Sequence, residues 1–100
     1  MFVCNGIPID VLEEFKRRMK ISHKSEDEEL CRMLHTSFTV LKQNYGAFDF
    51  KNEAGKELVF ERTRYAYNDS LEFFTANFLT ELIDFSLSLM AETDSQEVKA

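Results

Sequence analysis

RYAYNDSLEFFTANFLTELIDFSLSLM, from Arg64 to Met90, is the most informative segment of this chain. It reads as one capped helix, with Asn68 or Asp69 as N-cap and Glu72 completing a D-x-x-E box. Its apolar residues fall into two stripes. One is Leu71, Phe74, Phe78, Leu82, Phe85 and Leu89; the other is Phe73, Leu79, Ile83, Leu87 and Met90. A helix that is apolar most of the way round is either deeply buried or packed on a partner. A chain of 100 residues has little interior in which to bury a helix on every side. One stripe is therefore assigned to the core and the other to assembly with another chain.

Working upstream, the spacing predicts a first helix over about Asp10 to Lys20. Asp10 and Glu13 give a D-x-x-E cap, and Leu12, Phe15 and Met19 share a face. Ser25 and Glu28 form an S-x-x-E box for a second helix from Glu26 to Tyr45. Glu26-Asp27-Glu28-Glu29 places negative charge on its first turn, where the helix dipole favours it. Leu30, Leu34, Phe38, Leu41 and Tyr45 form its apolar face, and Gly46 is a natural C-terminal stop.

Between these helices and the opening stretch the period changes. Phe48 and Phe50 alternate with Asp49 and Lys51, Asn52-Glu53-Ala54-Gly55 is turn-like, and Leu58 and Phe60 sit opposite Glu57, Val59 and Glu61. Such alternation predicts a β-hairpin within Ala47–Tyr67, lying on the helices or paired with a neighbouring chain. The expected fold is mainly α: a small helical bundle of three main helices, with a β-hairpin or extended loop inserted before the last helix. It forms one domain over residues 1–91. ETDSQEVKA, Glu92 to Ala100, is expected to be a polar, disordered or extended tail.

Composition narrows the function classes. The chain carries 18 acidic and 12 basic residues, a net charge of −6, which disfavours tight nucleic-acid binding. Its one dense basic run, Lys16, Arg17, Arg18 and Lys20, reads as a solvated helix face. No stretch reaches a membrane span, since Glu72, Asn77, Glu81 and Asp84 interrupt the most apolar one. The first ten residues lack the pattern of a signal peptide, so Cys4 and Cys31 are expected as reduced thiols in a cytosolic setting.

Few residues are spaced for chemistry. Cys31 and His35, at i and i+4, are the most metal-like pair, but a site needs three or four converging ligands. The same pair lacks an oxyanion hole for nucleophilic catalysis. With Gly6, Gly46 and Gly55 as the only glycines, no phosphate-cradling loop exists. The acidic run at residues 26–29 lacks the spacing of a calcium loop. The expectation is no enzyme, no metal and no cofactor.

The order of parts nevertheless carries a resemblance. LEEFKRRMKI precedes a polar turn and SEDEEL, a long helix ends near Tyr45-Gly46, and RYAYND leads into SLEFF. Over about Ile9 to Met90 this is similar to the head–tail connector (head-completion or adaptor) proteins of long-tailed bacteriophages, particularly those of Gram-positive hosts. The resemblance implies a virion protein, made in the host cytoplasm, that forms a twelve-fold ring beneath the portal protein. Such a ring extends the DNA channel, lets packaged DNA pass without specific binding, and receives a stopper or tail-completion protein. It also implies that the C-terminal segment, with Val98, reaches the portal.

Candidate interface residues follow from both lines. Phe48, Phe50, Leu58 and Phe60 come from the expected hairpin. Arg62, Arg64, Tyr65 and Tyr67 come from the residue types favoured at interfaces. Phe73, Ile83 and Leu87 come from the surplus stripe, and Val98 from the tail. The competing expectation is a small acidic regulatory module, antitoxin-like or inhibiting a host factor.

Overall fold

The structure, a computed structural model, describes Cys4 and residues 6–98, the side chains of residues 92–98 excepted. It is mainly helical, with no strand among the described residues. Its helices are α1 (Ile9–Met19), α2 (Asp27–Tyr45), α3 (Glu53–Tyr67), the single turn α4 (Phe74–Asn77) and α5 (Leu79–Val98). A 3₁₀ turn at Leu71–Phe73 precedes α4.

The expected bundle is present, but the expected hairpin is not: α3 occupies its place. Asn52 decides the difference. Its side chain accepts a 3.0 Å hydrogen bond from the Gly55 N–H, which makes Asn52-Glu53-Ala54-Gly55 a helix N-terminus rather than a hairpin turn. Buried positions 55, 58, 59, 60 and 63 then follow helical spacing. Val59, read as outward on a strand, is fully buried. Gly55 is needed for close approach, since a Cβ there would run into the Phe48 ring. The alternating Phe48 and Phe50 lie in the loop before α3 and pack their rings on α2 and α5. Phe38 lies 4.4 Å from Phe50 in a tilted pair and meets Phe48 edge-on at 5.2 Å, and Phe48 meets Phe85 edge-on at 5.0 Å.

α3 is the central helix. Its most extensive pairing is with α2, and it also meets α4 and α5. Phe60 points at Phe15 of α1, with ring centroids 5.6 Å apart. Between α3 and α2, Thr63 donates to the Val59 carbonyl at 2.7 Å, and its oxygen lies 3.0 Å from the Ser37 hydroxyl in a second hydrogen bond. Arg62 reaches the same hydroxyl at 3.2 Å, so the buried polar groups of the seam are satisfied. Desolvation at this site lowers the Arg62 pKa from its ordinary value.

The two cysteines are joined, contrary to the expectation of free thiols. The Cys4–Cys31 disulfide ties the leader to α2 across a Cα–Cα distance of 5.1 Å. Cys4 and Ile7 are buried, so the leader closes one end of the core. Cys31 thus has no sulfur to offer a metal, and His35 on the same helix is exposed.

The predicted capping boxes do not form. α1 begins after Pro8, α2 after Glu26 and the 3₁₀ turn after Ser70, each without a side-chain cap bond. Ser25 instead pairs with the His23 ring at 2.9 Å. Asp69, at φ 60°, ends α3 rather than starting the next helix, and its N–H bonds the Ala66 carbonyl. The opening stretch is therefore split: α3 ends at Tyr67, the chain turns, and a second bend at Phe78 separates α4 from α5. The expected extended tail is helical in its backbone through Val98.

Candidate functional site

α5 presents three faces, set by the 100° turn per residue of an α-helix. The first is core. Leu82, Phe85 and Leu89 are buried, and Phe74 of α4 joins them. Phe78 completes this side, stacking 5.1 Å from Phe74, while Tyr65 of α3 meets both rings edge-on at 5.7 Å. Asn77 donates to the Tyr65 hydroxyl at 3.0 Å, and Ser86 donates to the Tyr45 carbonyl at 3.3 Å.

The second face is the surplus stripe. Leu79, Ile83, Leu87 and Met90 follow one another at i, i+4, i+8 and i+11, and each is about half exposed, from 48% for Ile83 to 57% for Leu87. Its borders on the helix are Ser86 on one side and Thr80 and Ala91 on the other, so no charge interrupts it. The four side chains expose on the order of 400 Å², the size of the largest apolar patch on an ordinary soluble monomer, which is often functional. Phe73 and Leu71, in the turn before α4, are also exposed, as is Ile9 on α1.

The third face borders an open groove of about 650 Å³ between α3 and α5. Leu58, Phe78 and Phe85 form its floor. Glu57 and Glu61 stand on the α3 side, Glu81 and Asp84 on the α5 side. The α3 acids are already paired: Arg18 reaches Glu57 at 2.5 Å and Glu61 at 3.9 Å, and Arg64 holds Glu61 at 2.6 Å. These bonds, first of all the one to Glu57 for Arg18 and the one to Glu61 for Arg64, raise both guanidinium pKa values. Glu81 and Asp84 are exposed and have no ion-pair partner among the described residues.

The candidate interface residues separate accordingly. Leu58 and Phe60 are core residues of α3, not part of a hairpin open to a neighbouring chain. Phe48, Phe50 and Tyr65 are half-buried in aromatic clusters within the chain. Arg62 and Arg64 are held by Ser37 and Glu61, and Tyr67 donates to Glu26 at 3.1 Å. Phe73, Ile83 and Leu87 remain open. The side chain of Val98 lies outside the described residues.

The basic run, read as a solvated face, divides in two. Lys16 pairs with Asp27 at 2.6 Å with both largely buried, and the exposed Arg18 pairs with α3, whereas the exposed Arg17 and Lys20 make no ion pair among the described residues. Lys56 joins α3 to Glu14 of α1 at 3.0 Å. Among the described residues no three His, Cys, Asp or Glu side chains converge as metal ligands, and no helix is long and apolar enough to cross a membrane.

No family model, curated protein or solved structure matches the chain. Two surfaces of α5 are left open, one an apolar stripe and one an acid-edged groove shared with α3.

Proposed function

We propose that this chain is a structural subunit of a bacteriophage neck. In this reading it forms a ring between the portal of the DNA-filled head and the stopper or tail, and extends the DNA channel. One observation carries the assembly part: the uninterrupted apolar stripe Leu79, Ile83, Leu87 and Met90, left open by an otherwise well-packed bundle. A ring needs heterologous contacts, in which one patch meets a different patch on the next copy. Such a stripe supplies one half of that contact. Many weak contacts then act together once the first copies are held on a symmetric platform. The net charge of −6 per copy suits a channel through which DNA slides without sticking. The phage setting itself rests on the sequence resemblance over Ile9–Met90.

Cryo-microscopy of purified virions tests the reading. Density for this bundle is expected in a ring at the portal vertex. Virions that lack the chain would overturn it. A one-to-one complex with a single host protein, recovered in its place, would favour the regulatory module. Within the ring, Ile83→Gln with Leu87→Gln should prevent assembly while the monomer stays folded.

A further inference from the structure

We infer that the groove between α3 and α5 is a separate docking site for a basic partner segment. Its occupant pairs one large apolar side chain with Lys or Arg about one helical turn away. The inference does not depend on whether the chain builds a ring.

Three observations combine. The groove has an apolar floor, Leu58, Phe78 and Phe85, and a volume of about 650 Å³, room for one or two large side chains. Its two edges differ in charge state. On the α3 edge, Glu57 and Glu61 are neutralised within the chain by Arg18 and Arg64. On the α5 edge, Glu81 and Asp84 lie at i and i+3, about one turn apart, exposed and unpaired among the described residues. Uncompensated charge therefore lies along one side of an apolar slot. α5 has no basic residue of its own to neutralise it.

Charge complementarity decides the occupant. An acidic or neutral segment would leave Glu81 and Asp84 desolvated beside it, which costs free energy without return. A segment carrying Lys or Arg at matching spacing gains charge-assisted hydrogen bonds there while its apolar side chain fills the slot. The surplus stripe of a second copy does not meet this requirement, because it brings no cation. The groove and the stripe lie on different faces of α5, so both can be occupied at once.

The test uses the full chain and a synthetic, fluorescently labelled helical peptide with one Phe and two Lys at i+3 and i+4. Two control peptides replace Phe by Ala or both Lys by Glu. Fluorescence anisotropy should show binding of the first peptide, weakened about tenfold or more in each control. Glu81→Gln with Asp84→Asn, both at exposed positions, should weaken it comparably and reduce its dependence on salt. Amide shifts on titration should centre on Ala54 and Ser88, beside the floor. Ile83→Gln with Leu87→Gln, which removes the stripe, should leave peptide binding unchanged. Equal binding of the Lys and Glu peptides, no binding of any peptide, or shifts centred on Ile83 and Leu87 would each overturn the assignment. Self-association that the Glu81→Gln, Asp84→Asn pair abolishes would overturn it too, by giving the groove to a second copy.

Discussion

α3 and α5 invert what their compositions suggest. α5 is the greasier helix, yet it leaves a full stripe of Leu79, Ile83, Leu87 and Met90 open. α3 is studded with charge, in the order Glu53, Lys56, Glu57, Glu61, Arg62 and Arg64, yet it is the helix at the centre of the bundle. It manages this by burying Leu58, Val59, Phe60 and Thr63 and sending its long charged side chains outward, Lys56 and Glu57 to partners on α1 and Arg64 to Glu61 of α3 itself. Apolar content thus does not rank helices by burial. What matters is how many neighbours surround each one, and an apolar residue without a neighbour in the chain is available to another molecule.

The largest expected effect tests the central role of α3. Phe60→Ala should cost about 3–5 kcal/mol, enough to unfold much of the population, because it empties a fully buried site facing Phe15. Leu87→Gln, by contrast, should change the unfolding free energy, read by urea titration, by no more than about 0.5 kcal/mol. Comparable losses for the two would erase the contrast between the helices.

A second measurement concerns the leader. The Cys4–Cys31 link closes a loop across 27 positions, and its reduction should lower stability by roughly 2–4 kcal/mol. The readout is melting temperature with and without reductant, with Cys4→Ser as the control that no longer responds. An unchanged melting temperature would mean that buried Ile7 alone holds the leader.

Asn52→Ala should cost about 1 kcal/mol, since it removes the cap that turns residues 52–55 into a helix start. Asn52→Asp, which keeps an acceptor at the N-terminus, should restore most of it. If both variants match the parent, the cap does not decide between helix and hairpin.

The smallest effect is a titration. Tyr67 donates to Glu26, and that bond, foremost, raises its pKa from the ordinary 10.0. The stabilisation is complete below the ordinary phenol pKa and is lost as pH rises through the raised one. Phenolate absorbance should therefore show one of the three tyrosines ionising late, and Tyr67→Phe should remove that component. A late component that survives Tyr67→Phe belongs to another tyrosine.

The limits of α2 were legible in the sequence almost to the residue, because Leu30, Leu34 and Leu41 keep one period and Gly46 stops the helix. The α3 region was not. Phe48-Asp49-Phe50 and Leu58-Val59-Phe60 satisfy a strand template and a helix template alike over so short a span. Only the Asn52 bond to Gly55 and the burial of Val59 separate them. The disulfide was equally hidden, since two cysteines 27 positions apart give no distance in space. Of the candidate site, the open stripe was readable from spacing within one helix. The groove was not, because it joins Leu58 of α3 to Phe78 and Phe85 across a chain reversal.

What the sequence determined by itself was a mainly helical fold, the approximate ends of α1 and α2, and the existence of more apolar helix surface than one small core can cover. These follow from local periodicity and from the ratio of surface to volume. Tertiary structure alone decided which helix is central, that Leu58 and Phe60 are core while Ile83 and Leu87 are not, and that Glu81 and Asp84 edge an apolar slot. A helix's faces are fixed by its sequence, but their burial depends on neighbours brought in by the turns at Asp69 and Phe78.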